Sequence, residues 1–146
     1  MERKLTIDHF TGRALYFLGK FEKAEEIFEK NLKDYDDRGN VHATAYNNAW
    51  LARVNISLKN KVKAKRFKEA AVKFFEKESK KRKSQHVLEA AYIIEAEYNN
   101  FVADYEKAIK NSISALAVNL PPGSYKDGVW EAVAELVKAV GSTSKI

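Results

Sequence analysis

The chain has 146 residues and a formal net charge of +6; 45% of its residues are hydrophobic, 32% are charged, and it has six Gly, two Pro and no cysteine. A chain of this length suits one compact domain, which buries around 70% of its unfolded surface. A mixture rich in Ala, Lys, Glu, Leu and aromatics favours helix over strand. The lack of cysteine excludes disulfide frameworks, thiolate zinc sites and a cysteine nucleophile.

The start, Met1-Glu2-Arg3-Lys4-Leu5, has no apolar run of signal-peptide length, and no window approaches the roughly 18 apolar residues of a membrane span. The expectation is a soluble, cytoplasmic protein with no membrane partner.

The first helix is expected over Thr6 to Leu18, with Thr6 or Asp8 as cap and Ile7, Phe10, Ala14, Leu15, Phe17 and Leu18 at helical spacing. Gly12 lies inside it, at about 1 kcal/mol against Ala, which a closely packed neighbour would explain. Gly19 ends it. Lys20 to Tyr35 comes next, with Phe21, Ala24, Ile27, Phe28 and Leu32 inward, and Asp36-Asp37-Arg38-Gly39-Asn40 is a loop by composition. The two helices, joined by about two residues, should be antiparallel neighbours.

Val41 to Leu58 is a third helix, interrupted by the polar pair Asn47-Asn48, and Lys59-Asn60 breaks it. Lys61 to Lys83 is a fourth, its apolar side formed by Phe67, Ala70, Ala71, Phe74 and Phe75. Lys80-Lys81-Arg82-Lys83-Ser84 reads as a hinge, since four like charges repel and Ser84 can cap the next helix. The fifth helix carries His86, Leu88, Ala91, Tyr92, Ile94, Ala96 and Phe101, and Asn99-Asn100 marks its weakening end. Asp104 to Leu120 is its partner, stopped by Pro121-Pro122-Gly123. A closing helix over Ser124 to Val140 should turn Trp130, Val133, Leu136, Val137 and Val140 inward, with Lys126, Asp127, Glu131, Glu135 and Lys138 opposite. A frayed tail covers 141–146.

Charge is uneven along this order. Between Lys59 and Lys83 twelve Lys or Arg meet three Glu, a local net of +9 that leaves about −3 elsewhere. Such a concentration either draws acidic partners or is simply a solvated helix face.

The second helix of each hairpin repeats an aromatic, an Ala three residues on, and a ring or small residue four further: Phe21-Ala24-Phe28, Phe67-Ala70-Phe74 and Tyr105-Ala108-Ser112. The offsets are 46 and 38 residues, averaging 42. With Leu18-Gly19-Lys20-Phe21-Glu22-Lys23-Ala24 and Asp104-Tyr105-Glu106-Lys107-Ala108, this resembles the tetratricopeptide repeat (TPR), and the spacing resembles its long variants of about 42 residues. The resemblance spans residues 7 to 120.

It implies an all-α fold of about seven helices, with antiparallel hairpins at about 6–35, 41–83 and 84–120 stacked as a right-handed solenoid or bundle. The helix at 124–140 would cap it, all within a single domain of 1–146. It also implies a groove lined by first helices. Carried over by position, its candidates are Asn47, Asn48, Arg53, Glu95 and Asn99, because Asn amides bond a peptide backbone as donor and acceptor. The alternative for the Asn pair is internal bonding.

Catalytic patterns are absent from the sequence. His9, His42 and His86 fall in different hairpins without metal-ligand spacing, and no Gly-rich phosphate loop exists. Arg82 and His86 resemble the Arg-His pair of HEPN-type helical ribonucleases, but three intervening residues are fewer than that motif has.

The expectation is a non-catalytic adaptor that needs no cofactor or metal and binds a protein segment in the groove. One alternative is nonspecific binding of nucleic acid or another acidic partner through Lys61, Lys65, Lys68, Lys73, Lys77, Lys80, Lys81, Arg82 and Lys83. Another is a homo-oligomerisation unit that pairs through Trp130 and Val133, or through Phe10 and Phe17.

Overall fold

The computed structural model describes residues 2–82, 85–118, 120, 123 and 127–143, the side chains of residues 2, 3, 5, 6 and 82 aside. The expected caps Thr6 and Ser84, the Pro121-Pro122 stop, and the Arg82 and Lys83 members of the basic run therefore lie outside the described residues and side chains. Seven helices and no strands occur among the described residues: α1 (Glu2–Phe17), α2 (Phe21–Asp37), α3 (Val41–Ser57), α4 (Lys61–Arg82), α5 (Gln85–Phe101), α6 (Tyr105–Leu116) and α7 (Asp127–Thr143). The chain divides into two compact units, Met1–Ala71 and Val72–Ile146, and the division falls inside α4.

One turn is used four times. Gly19, Gly39, Lys59 and Ala103 are left-handed, with φ of 76°, 67°, 61° and 63°. Each donates its N–H to the carbonyl three residues back, and the next residue donates to the carbonyl five back, as in Lys59 to Ile56 at 3.1 Å and Asn60 to Asn55 at 2.9 Å. This is the Schellman closure, which satisfies the last carbonyls of one helix. The residue after it then begins the next helix. Asn40 Oδ1 accepts from the Ala43 N–H at 3.1 Å, Asn60 Oδ1 from Lys63 at 3.1 Å, and Asp104 Oδ1 from Lys107 at 3.3 Å. Lys20 has no such side-chain cap.

This recurring turn corrects the register of the basic helix. Ala24, Ala64 and Ala108 each lie three residues into a helix and are fully buried. Ala64, then, and not Ala70, is the counterpart of Ala24. The inward side of α4 is Ala64, Phe67, Ala71 and Phe75, whereas Ala70 is exposed and Phe74 half-buried. The matching intervals are 40 and 44 residues.

In the first unit, α2 packs against both α1 and α3, which touch each other only lightly. Gly12 is buried, and a Cβ there would lie 2.9 Å from Phe28 Cζ and 3.0 Å from Cε1. The glycine's helix-propensity cost thus has its explanation: α1 approaches the Phe28 ring at van der Waals distance. Lys63 ties the start of α4 to α2, with Nζ 3.6 Å from both Glu25 Oε2 and Glu29 Oε1.

In the second unit, Ile93, Ala115 and Ala132 meet in a core where α5, α6 and α7 converge. Much of the expected inward stripe of α7 is turned outward, with Trp130, Val137 and Val140 exposed and Val133 and Leu136 half-buried. Ala132, Glu135 and Ala139 are buried, while Trp130 is 70% and Val137 65% exposed. Two features fix this orientation. Gly128 lies so close to the Glu89 carboxylate of α5 that a Cβ would collide with it. Glu135 is held by Asn100, whose Nδ2 donates to its carbonyl at 3.0 Å and to Oε2 at 2.7 Å. Small residues and one clasped carboxylate let α7 approach where a Trp could not.

α5 ends at Phe101, directly after Asn99-Asn100 as expected, but the pair does not weaken it. Both are buried, and Asn99 Nδ2 donates to Asn111 Oδ1 of α6 at 2.8 Å. They join α5 to its two neighbours. Part of the expected frayed tail is also helical: Ser142 and Thr143 belong to α7, and their hydroxyls donate to the carbonyls of Lys138 and Val140, each at 2.8 Å.

The turn geometry sets a stability test. Left-handed backbone costs an L-residue roughly 1–2 kcal/mol, part of which glycine regains. Lys59→Gly and Ala103→Gly should each raise the urea midpoint, by up to about 1 kcal/mol in free energy. Ala64→Leu should cost about 1–3 kcal/mol by overpacking, and Ala70→Leu close to nothing.

Candidate functional site

The most developed surface feature of the first unit lies where α1 meets α3. Trp50 is its centre. Its ring stacks on Phe28 at 5.8 Å and 19°, and meets His9, Tyr16 and Phe17 edge-on at 6.5, 5.5 and 6.0 Å. Two guanidiniums lie over the same indole, Arg13 at 4.9 Å and Arg53 at 4.8 Å from its centroid. Arg13 also lies over Phe10 at 5.3 Å. A guanidinium laid over an aromatic face is held in a more fixed orientation than one on a freely rotating side chain.

The helical repeat explains how the cluster forms. Phe10, Arg13 and Phe17 recur at three and four residues along α1, and Trp50 and Arg53 do so along α3, so each set shares one side of its helix. Trp50 is buried, but Phe10 and Phe17 are 57% and 72% exposed. Rings at that exposure beside stacked arginines form an apolar surface with a positive rim.

His9 belongs to this cluster. It meets Phe10 at 5.9 Å and Phe28 at 5.5 Å, both edge-on. Burial pushes its pKa below the usual 6.5; the nearby polar Asn47 side chain opposes this, and the charge of Arg13 adds to it. The ring is therefore favoured neutral against Trp50.

The residues expected to line a groove separate. Asn47 is buried, donates Nδ2 to the Ala43 carbonyl at 2.8 Å and faces His9. Asn48, next in sequence, instead lines an open pocket of about 420 Å³ between α2 and α3, with Glu29, Leu32, Lys33, Asp36 and Thr44. Arg53 is on the aromatic face. In the second unit, Glu95 is half-buried, and buried Asn99 is bonded to Asn111. Of the five, only Arg53 is presented beside exposed aromatic rings. Sequence reasoning missed Trp50, Arg13 and His9 as a group. The available signal was the arginine three residues from an aromatic on each of two helices, Phe10-Arg13 and Trp50-Arg53.

The basic run also divides. Lys61 is exposed, Lys65 approaches Glu69 at 4.0 Å, and Lys68 is buried. Lys73, Lys77, Lys80 and Lys81 are exposed and, with Glu76, line a shallow groove of about 540 Å³. None of these four lysines pairs with a carboxylate among the described residues. Among the described residues no group of three or more His, Asp or Glu is placed to hold a metal ion, and no helix is long and apolar enough to cross a membrane. No family model, curated protein or solved structure matches the chain.

Two measurements test the cluster. Trp50→Ala should cost about 3–5 kcal/mol in chemical denaturation. A His9 pKa lowered by folding means the unfolded chain takes up the proton first. The His9 contribution to stability is then complete above about pH 6.5 and falls as pH drops through 6.5 toward the folded-state pKa. His9→Gln should flatten the stability profile between about pH 7.5 and 5 relative to the parent; equal slopes would remove His9 as the cause.

Proposed function

We propose that the chain is a TPR-like interaction module that binds an acidic, apolar-anchored protein segment on the α1–α3 face. The observation that carries this is the pairing of exposed Phe10 and Phe17 with Arg13 and Arg53 stacked on Trp50. Aromatics and arginine are the residue types on which binding energy concentrates, because they offer large rigid area with a polar edge. The positive rim favours an acidic segment over a basic one. The TPR-like arrangement is supported by the turn that recurs before Ala24, Ala64 and Ala108, and by the two first helices that share the face.

A second function is favoured by the lysines of α4. Lys73, Lys77, Lys80 and Lys81 form a stripe about 12 Å long at 1.5 Å per residue, and could pair with successive phosphates of a nucleic acid.

Selection from a displayed random-peptide library, followed by fluorescence anisotropy of synthetic winners, tests the first proposal. Winners should combine apolar residues with Asp or Glu, and lose at least about tenfold in affinity for Arg13→Glu and Phe17→Ala. Equal binding by Arg13→Glu, Arg53→Glu and parent would overturn it. For the second, labelled duplex and single-stranded probes in about 50 and 200 mM salt should show a steep salt dependence, with a slope near −0.9 per phosphate neutralised on duplex DNA. Lys77→Glu with Lys80→Glu should abolish it; no binding at the lower salt rules it out.

A further inference from the structure

The outward side of α7 has an order that the core of its own unit does not use. Trp130, Ala134, Val137 and Gly141 are all exposed and succeed one another at intervals of four, three and four residues. That is the interval of a two-helix seam, in which side chains at alternating three- and four-residue steps face a partner helix. The flanks are also ordered: Glu131 and Lys138 lie along one edge of the seam, Val133 and Val140 along the other. The opposite side of α7, with Gly128, Ala132, Glu135 and Ala139, is occupied by its own unit.

We infer that α7 is a self-pairing surface whose occupant is a second copy of this chain, joined antiparallel about a two-fold axis that passes between Glu135 and Leu136. The order of residue sizes selects that partner. Antiparallel pairing about this axis sets Trp130 against Gly141 of the second copy and Val137 against its Ala134, so that each large side chain faces a small one. It sets Val133 against Val140 along one edge and Glu131 against Lys138 along the other, each pair occurring twice by symmetry.

The sequence of this one helix is thus complementary to itself in volume and in charge. Parallel pairing would oppose Trp130 to Trp130 and set the charged edge of one copy against the valine edge of the other, with no charge partner across the seam. Lys138 Nζ lies 3.2 Å from Glu135 Oε1 of its own helix, and its side chain is 61% exposed at the edge of the seam. The exposed α7 face, 70% open at Trp130 and 65% at Val137, is covered by this arrangement.

Sedimentation velocity of the full chain over about a hundredfold range of concentration reads the pairing directly. A monomer–dimer equilibrium is expected, shifted to monomer by Val137→Glu, with unchanged far-UV circular dichroism as the control for folding. Charge reversal gives the geometry. Glu131→Lys alone and Lys138→Glu alone should each weaken the dimer roughly tenfold, since each sets like charges together twice. An equimolar mixture of the two variants should pair as well as the parent, because both edge contacts are then of opposite sign. A chain that is monomeric throughout, a dimer that Val137→Glu leaves intact, or a mixture that pairs no better than its components would overturn the inference.

Discussion

Four of the helix junctions in this chain depend on backbone that leaves the helix through a single left-handed residue. At Gly19, Gly39, Lys59 and Ala103 that residue closes the last carbonyls of one helix and places the next residue to begin another. The second helix therefore starts at a fixed offset from the first, and in three of the four cases a fully buried Ala comes at the same position. The turn and the alanine act together. The turn fixes where the next helix starts, and the small, buried alanine leaves room for a neighbour to pack against its first turn.

The helices were legible in the sequence because apolar periodicity and capping residues mark them. Which way each helix turns was less so. In α4 the expected contact set used Ala70 and Phe74, chosen because an aromatic, an Ala and an aromatic recur there. Phe67, Ala71 and Phe75 of the expected apolar side are buried, and the guide to Ala64 beside them was the turn at Lys59. Neither Lys59 nor Ala103 advertises a left-handed conformation, since both carry a Cβ that disfavours it. In α7 the large residues were expected inside and the carboxylate outside. Helix approach reversed this, because Gly128 and Ala132 fit where Trp130 cannot, and Asn100 satisfies Glu135.

Asparagine ties helices together in the second unit, whereas in the first the amides of Asn47 and Asn55 turn back onto their own helix. In α3, Asn47 and Asn55 donate to carbonyls one turn back, those of Ala43 and Leu51, at 2.8 Å each. In α5, Asn99 and Asn100 bond across to α6 and α7. A buried amide has few satisfactory orientations, so it fixes rotation about the helix axis more sharply than an aliphatic side chain does. Its sequence signature is easily taken for a weak point in a helix. The candidate site was likewise half legible: Arg53 was found through its position, while Trp50, Arg13 and His9 emerge as one group only when α1 and α3 are brought together.

The two tryptophans of the chain, Trp50 and Trp130, fall one in each unit and in opposite surroundings, one buried beneath arginines and the other open to solvent. Their emission should differ in colour, blue-shifted for Trp50 and red-shifted for Trp130. A Trp130→Phe chain then reports the α1–α3 face alone, and a Trp50→Phe chain the surface of α7. The protein carries a separate optical reporter for each half, with no dye to add.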